Sequence, residues 1–160
     1  MTHAHIYVDL SRNHNTGVAI ANPASTAATI AIKAYQTDGI TSPGIRQGTL
    51  LLPGGGHDAK FADQLIPGLP TGFKGVLDIS SGVPFTPLTL RSLINERDEF
   101  LMTSFPVADA NRAAPSPIVF PHIVEGSGYA MEFILIGSGR NSSAALNFYN
   151  EDGTPLNAGR

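Results

Sequence analysis

The sequence has no cysteine and no tryptophan, and only 14% of its 160 residues are charged. Without thiols there can be no disulfides, thiolate metal ligands or cysteine nucleophiles, so no cofactor is expected on such ligands. The missing tryptophan removes the flat ring best suited to stack on a sugar face. Ten Lys plus Arg against thirteen Asp plus Glu leave a formal charge of −3. That is too mild to attract phosphate backbones or anionic lipid by field alone, and nucleic-acid partners are set aside. No apolar run approaches the roughly 18 residues of a membrane span. The start, "MTHAHIYVDL", lacks the basic and then apolar pattern of a secretory leader. Neither membrane insertion nor a signal peptide is expected from these residues.

What the sequence does have is seventeen Gly, twelve Pro and short alternating apolar stretches. Such a composition suits many strands joined by turns. A half-buried strand shows the core every second residue, and "TIAIKAY" (29–35) and "AALNFYN" (144–150) both do so. Further strands are expected at 5–10, 17–22, 48–53, 75–80, 85–93, 100–105, 118–124 and 131–137. No helical stretch of ten or more residues separates them, which argues against parallel βαβ units. The predicted fold is all-β, a single antiparallel β-sandwich over 1–160, immunoglobulin-like or jelly-roll-like, with one short helix near residues 58–66. In that helix Phe61, Ala62, Leu65 and Ile66 share a face, Asp58 caps the start and Pro67-Gly68 stops it. Pro84 and Pro87 cannot donate to a ladder, so their strand is expected at an edge or a bulge. The expected core comprises Val18, Ile20, Ile30, Ile32, Leu77, Ile79, Leu88, Leu90, Phe133, Leu135, Leu146 and Phe148.

"AIKAYQTDG" (31–39) and "ALNFYNEDG" (145–153) share Ala, Tyr, Asp and Gly at matching places. "AHI" (4–6) likewise matches "PHI" (121–123), and "VAIAN" (18–22) matches "FILIG" (133–137). The landmarks recur in order at a period of about 115 residues. The sequence then reads as one full repeat unit over 4–106, a connector at 107–117 and a partial second repeat over 118–160. A repeat cut off after its third strand leaves an open sheet edge, which invites self-association.

Few residues single out chemistry. His3 and His5 alternate onto one strand face and are the weak candidates for a metal site, to which His14 and His122 would have to be added. His5 and His122 occupy matching places of the repeat, so they are not expected to converge, and the reading is that no metal is bound. "LPGGGHDAK" fits a turn needing positive φ better than an anion cradle. Ser80, Ser81 and His57 lack a nucleophile elbow, and no catalytic residue is assigned. The charged "NERDEF" (95–100) reads as a solvated hairpin tip; Asp98 and Glu99 lack the spacing of a calcium loop. Tyr35 and Tyr149 lie opposite the aliphatic stripe, either as a ligand-binding platform for a glycan or, the favoured reading, as cross-strand partners covering the sheet.

The order of an "NP" turn, an Asp-Gly turn, "LPGG" before a short helix, "GVLDISS" and "LRSLINERDEF" resembles the repeating immunoglobulin-like β-sandwich modules of large secreted or surface proteins of soil bacteria. The second copy departs from this pattern at Arg140 and Asn141, where the "NP" turn is lost. The resemblance implies an extracellular or cell-surface location, partners that are other domains of a larger surface protein or a glycan, and no enzymatic activity. The function expected is that of a non-catalytic structural, spacer or adhesive module. A carbohydrate-binding accessory module is the alternative, and a hydrolytic enzyme the third.

Overall fold

A computed structural model describes residues 1–36, 46–137 and 142–156. The Asp38-Gly39 turn and Arg140 and Asn141 lie outside the described residues. The protein forms two compact units, 1–121 and 122–160.

The first unit is an antiparallel sandwich of two sheets. Its strands are β1 (His3–Asp9), β2 (His14–Ala21), β3 (Ala28–Gln36), β4 (Arg46–Leu52), β5 (His57–Phe61), β6 (Lys74–Ser81), β7 (Thr86–Ile94), β8 (Phe100–Phe105) and β9 (Ala108–Asp109). The five-stranded sheet runs β4-β3-β6-β1-β9 and the four-stranded sheet β5-β2-β7-β8. Every second residue of β1, β3 and β6 enters the core: Ala4, Ile6 and Val8, then Ile30, Ile32 and Ala34, then Leu77 and Ile79. From the other sheet come Val18 and Ile20, and Phe73, Phe85, Ala62, Leu65 and Ile66 fill the ends. Each large side chain so buried contributes about 1.5–3 kcal/mol before entropy is subtracted.

Three expectations are corrected. The helix is shorter than 58–66: α1 covers only Ala62–Leu65, while His57–Phe61 is β5, paired with β2. Asp58 therefore caps nothing; Gln64 Oε1 instead accepts from the Phe61 N–H at 3.0 Å. Phe61, expected on the apolar face, is 43% exposed.

The alternation of β7 is reversed. Directly opposite residues of an antiparallel pair share a face, and β2 places its core residues Val18 and Ile20 across from Thr89 and Pro87. Leu88 and Leu90 thus turn outward with Ala19 and Gly17, and Thr89 is fully buried. Pro87 does not sit on an outer strand, since β7 lies between β2 and β8. The β8 ladder begins only at Thr89, however, so no partner is asked to bond the missing Pro87 N–H on that side.

The strands expected at 118–124, 131–137 and 144–150 are not formed among the described residues. Leu135 and Leu146 are exposed and Phe133 and Phe148 only half-buried, so none of the four is core. The second unit holds two isolated bridges, Gly126 with Tyr129 and Tyr149 with Pro155. At the latter, Asn150 N–H donates to Thr154 O and Leu156 N–H to Phe148 O, both at 2.8 Å, closing a turn over the second Asp-Gly. The physical reason lies in pairing. In the sandwich β1 bonds β6 and β9, β2 bonds β5 and β7, and β3 bonds β4 and β6. No two of the first three strands bond each other, so segments that resemble only those three would bring none of their partners.

Candidate functional site

The outer face of the five-stranded sheet brings together the one cluster with ligand chemistry among the described residues. His3 and His5 are two apart on β1 and so project on the same side. In the β1–β6 register Asp78 lies directly opposite His5, and Ser80 opposite His3. The Asp78 carboxylate is therefore a direct neighbour of one imidazole and a diagonal neighbour of the other, both within reach. Its Oδ1 lies 3.1 Å from His3 Nε2 and its Oδ2 3.4 Å from His5 Nε2. The two rings meet edge-on, with centroids 5.2 Å apart and planes at 77°.

All three side chains are partly sheltered, at 36% exposure for His3, 20% for His5 and 25% for Asp78. His3 Nε2 itself is buried, and its approach to Asp78 lacks the alignment of a hydrogen bond, leaving a ring nitrogen without a formal hydrogen-bond partner. One donor atom from each residue lies within 4.8 Å of the others. Two imidazoles and a carboxylate in that arrangement can pair as ions when a histidine is protonated, or share a cation when both are neutral.

The remaining histidines are elsewhere. His14 opens β2 with its Nδ1 3.3 Å from Ser11 O, and lines an open recess with Arg91, Ser92, Leu93, Leu101, Met102 and Thr103. His57 lies on β5 in the other sheet from Ser80 and Ser81, so those three do not assemble. His122 belongs to the second unit. Tyr35 sits half-buried on β3 across from Val76, as a cross-strand partner would, whereas Tyr149 belongs to the second unit and is exposed. At "PGGG", Gly55 has φ +69° and the Gly56 N–H donates to Pro53 O at 2.9 Å, as the turn reading requires. The "NERDEF" tip is a turn organised by Asn95, whose Oδ1 accepts from the Arg97 and Glu99 N–H groups at 2.9 Å.

Sequence reasoning missed Asp78, a lone carboxylate inside the strand "GVLDIS"; its parity marked it as outward, but not which strand it would face. It also missed Asp9. That carboxylate is 1% exposed and accepts from the Ser11 N–H at 2.9 Å and Arg91 Nη2 at 3.1 Å, with Lys74 Nζ at 3.6 Å. Burial pushes its pKa up, but the Ser11 hydroxyl and amide, with the charges of Lys74 and His14, outweigh this and hold it below the usual carboxylate value. The group bonds β1 of one sheet to β7 of the other through Arg91 Nη2, while Arg91 Nε is buried without a hydrogen-bond partner.

No family model matches this protein, and no curated protein sequence matches it either. Among solved structures, the crystal structure of Thermotoga maritima 1070 is similar, with a TM-score of 0.51 at 13% identity over 65% of this chain and 90% of that one. That likeness concerns the sandwich fold.

Proposed function

We propose that this protein is a non-catalytic structural module of a repeating, secreted or cell-surface bacterial protein, serving as a spacer or adhesive bead. The observation that carries this reading is the mismatch between sequence repeat and strand pairing. Residues 118–153 repeat the landmarks of β1, β2 and β3, whose partners β4, β5, β6, β7 and β9 all follow them in sequence. A module of this topology is completed only by residues that follow its third strand, which is how serial arrays of one fold are built. Location and partners follow from the resemblance of the "LPGG", "GVLDISS" and "NERDEF" segments to such modules.

The test supplies the missing partners. A second copy of residues 46–109 is fused behind residue 156, and amide exchange is followed residue by residue. The reading expects slow exchange to appear at 131–137 and 144–150, with a second cooperative unfolding transition. Exchange there that stays as fast as in the unfused protein would overturn it.

A further inference from the structure

The His3, His5 and Asp78 cluster has no part in that structural role, and its geometry points to a site for a divalent transition metal of the zinc class, which we propose here. Zinc binds imidazole nitrogen at about 2.0–2.1 Å and carboxylate oxygen at about 2.0–2.2 Å in a tetrahedron, so adjacent ligand atoms lie about 3.3–3.5 Å apart. The two nitrogen-to-oxygen separations here are 3.1 and 3.4 Å. These separations run to the two different oxygens of the one carboxylate, and one ligand atom from each residue lies within 4.8 Å of the others, so small side-chain rotations bring all three onto one ion. The second argument is the buried His3 Nε2, which lies 3.1 Å from Asp78 Oδ1 yet forms no aligned hydrogen bond with it, an arrangement that is costly unless something completes it.

The donor types fit the same class of ion. Imidazole suits zinc, nickel and copper, whereas calcium and magnesium take oxygen ligands only, in larger number. Two neutral imidazoles and one carboxylate leave a net positive site on zinc, with a fourth position open to water on the solvent side. The ligands come from β1 and β6, so a bound ion fastens the first strand to the middle of the five-stranded sheet. Lys33, across from Asp78 on β3, is the cation that opposes binding along the same row.

The full-length protein is titrated with zinc chloride by calorimetry, and with cobalt chloride by absorption. Expected are one equivalent bound, a visible cobalt spectrum of tetrahedral intensity, a rise in Tm with zinc, and affinity at least about tenfold lower in His3→Ala, His5→Ala and Asp78→Asn. His14→Ala, His57→Ala and His122→Ala should leave affinity unchanged. Circular dichroism confirms that each variant is folded, and in the unmodified protein the His3 and His5 ring resonances should shift first on zinc addition. No binding, binding undiminished in Asp78→Asn, or loss in His14→Ala or His122→Ala instead would each overturn the site.

Discussion

Ile20 in β2 is 1% exposed, whereas Leu135, its counterpart in the proposed repeat, is 54% exposed. Ile32 and Leu146 differ in the same way, at 1% and 46%. The sequences at these places are alike in hydrophobicity and alternation, so local preference is not what separates the two regions. Partners are. An isolated strand, or a pair, is marginal in water, and burial begins only when a third strand or a facing sheet covers the apolar side. In the sandwich β6 alone bonds both β1 and β3, and β7 joins β2 to β8. Residues 118–153 have strand-forming words without those two central strands among the described residues.

The largest effect that sharpens this contrast comes from truncating matched core positions. Ile20→Ala should cost about 2–5 kcal/mol, the transfer loss plus a cavity. Leu135→Ala should change stability by less than about 0.5 kcal/mol, as at other surface places. Urea unfolding of both variants measures the difference; equal losses would break the comparison.

The two segments of the proposed repeat also differ at one polar residue. Asn22 is 1% exposed, and its Nδ2 donates to Thr26 O at 2.8 Å and Pro53 O at 3.0 Å while its Oδ1 accepts from the Ala24 N–H. It therefore ties the β2–β3 corner to the end of β4, and Gly137 stands at the matching place. Asn22→Ala removes the buried donor shared by the Thr26, Leu52 and Pro53 carbonyls and should cost about 1–3 kcal/mol. Gly137→Asn should leave the unfolding midpoint where it is, because the carbonyls that receive the Asn22 amide lie beside β2 and β4, and the second unit has no such strands among the described residues.

Acid should act on the first unit through Asp9. Its folded pKa lies below the ordinary carboxylate value. Its contribution is therefore present above the unfolded pKa, near 3.8, and is lost as pH falls through the lower folded value. Denaturant midpoints of the sandwich should fall below about pH 4, and in Asp9→Asn that part of the fall should disappear. Asp152 in the second unit also has a lowered pKa, from the Thr154 hydroxyl and amide, but it is fully exposed. Asp152→Asn should leave the acid profile of the sandwich unchanged.

How much of this was legible in the sequence varied with how local the cause was. β1 to β4, β6 and β8 follow from alternation between turn residues, within two or three residues of the expected ends. β5 reads as helix because "HDAKF" is polar and short; it is a strand only because β2 offers an edge. The inward face of β7 is set by register with β2, and a slip of one residue exchanges Leu88 for Thr89. For the candidate site, His3 and His5 are visible as a pair two apart, but Asp78 joins them only through the β1–β6 pairing, more than seventy residues away in sequence. The alternation at 131–137 and 144–150 is real, and it records a preference that needs partners before it becomes a strand.

The smallest effect concerns Tyr35 and Tyr149, which match in the proposed repeat. Tyr35 packs half-buried across from Val76 on the outer face of its sheet. Losing one such cross-strand contact is worth about 0.2–1 kcal/mol. Tyr149 is 62% exposed, and Tyr149→Ala should stay within about 0.5 kcal/mol of the unchanged protein. If the rings serve packing, only Tyr35→Ala moves the urea midpoint, and a glycan array gives no response that either substitution removes. A sugar platform predicts the reverse pattern: both substitutions lower glycan binding together, and the midpoint moves with neither, since a ring kept for a ligand is not holding its own sheet.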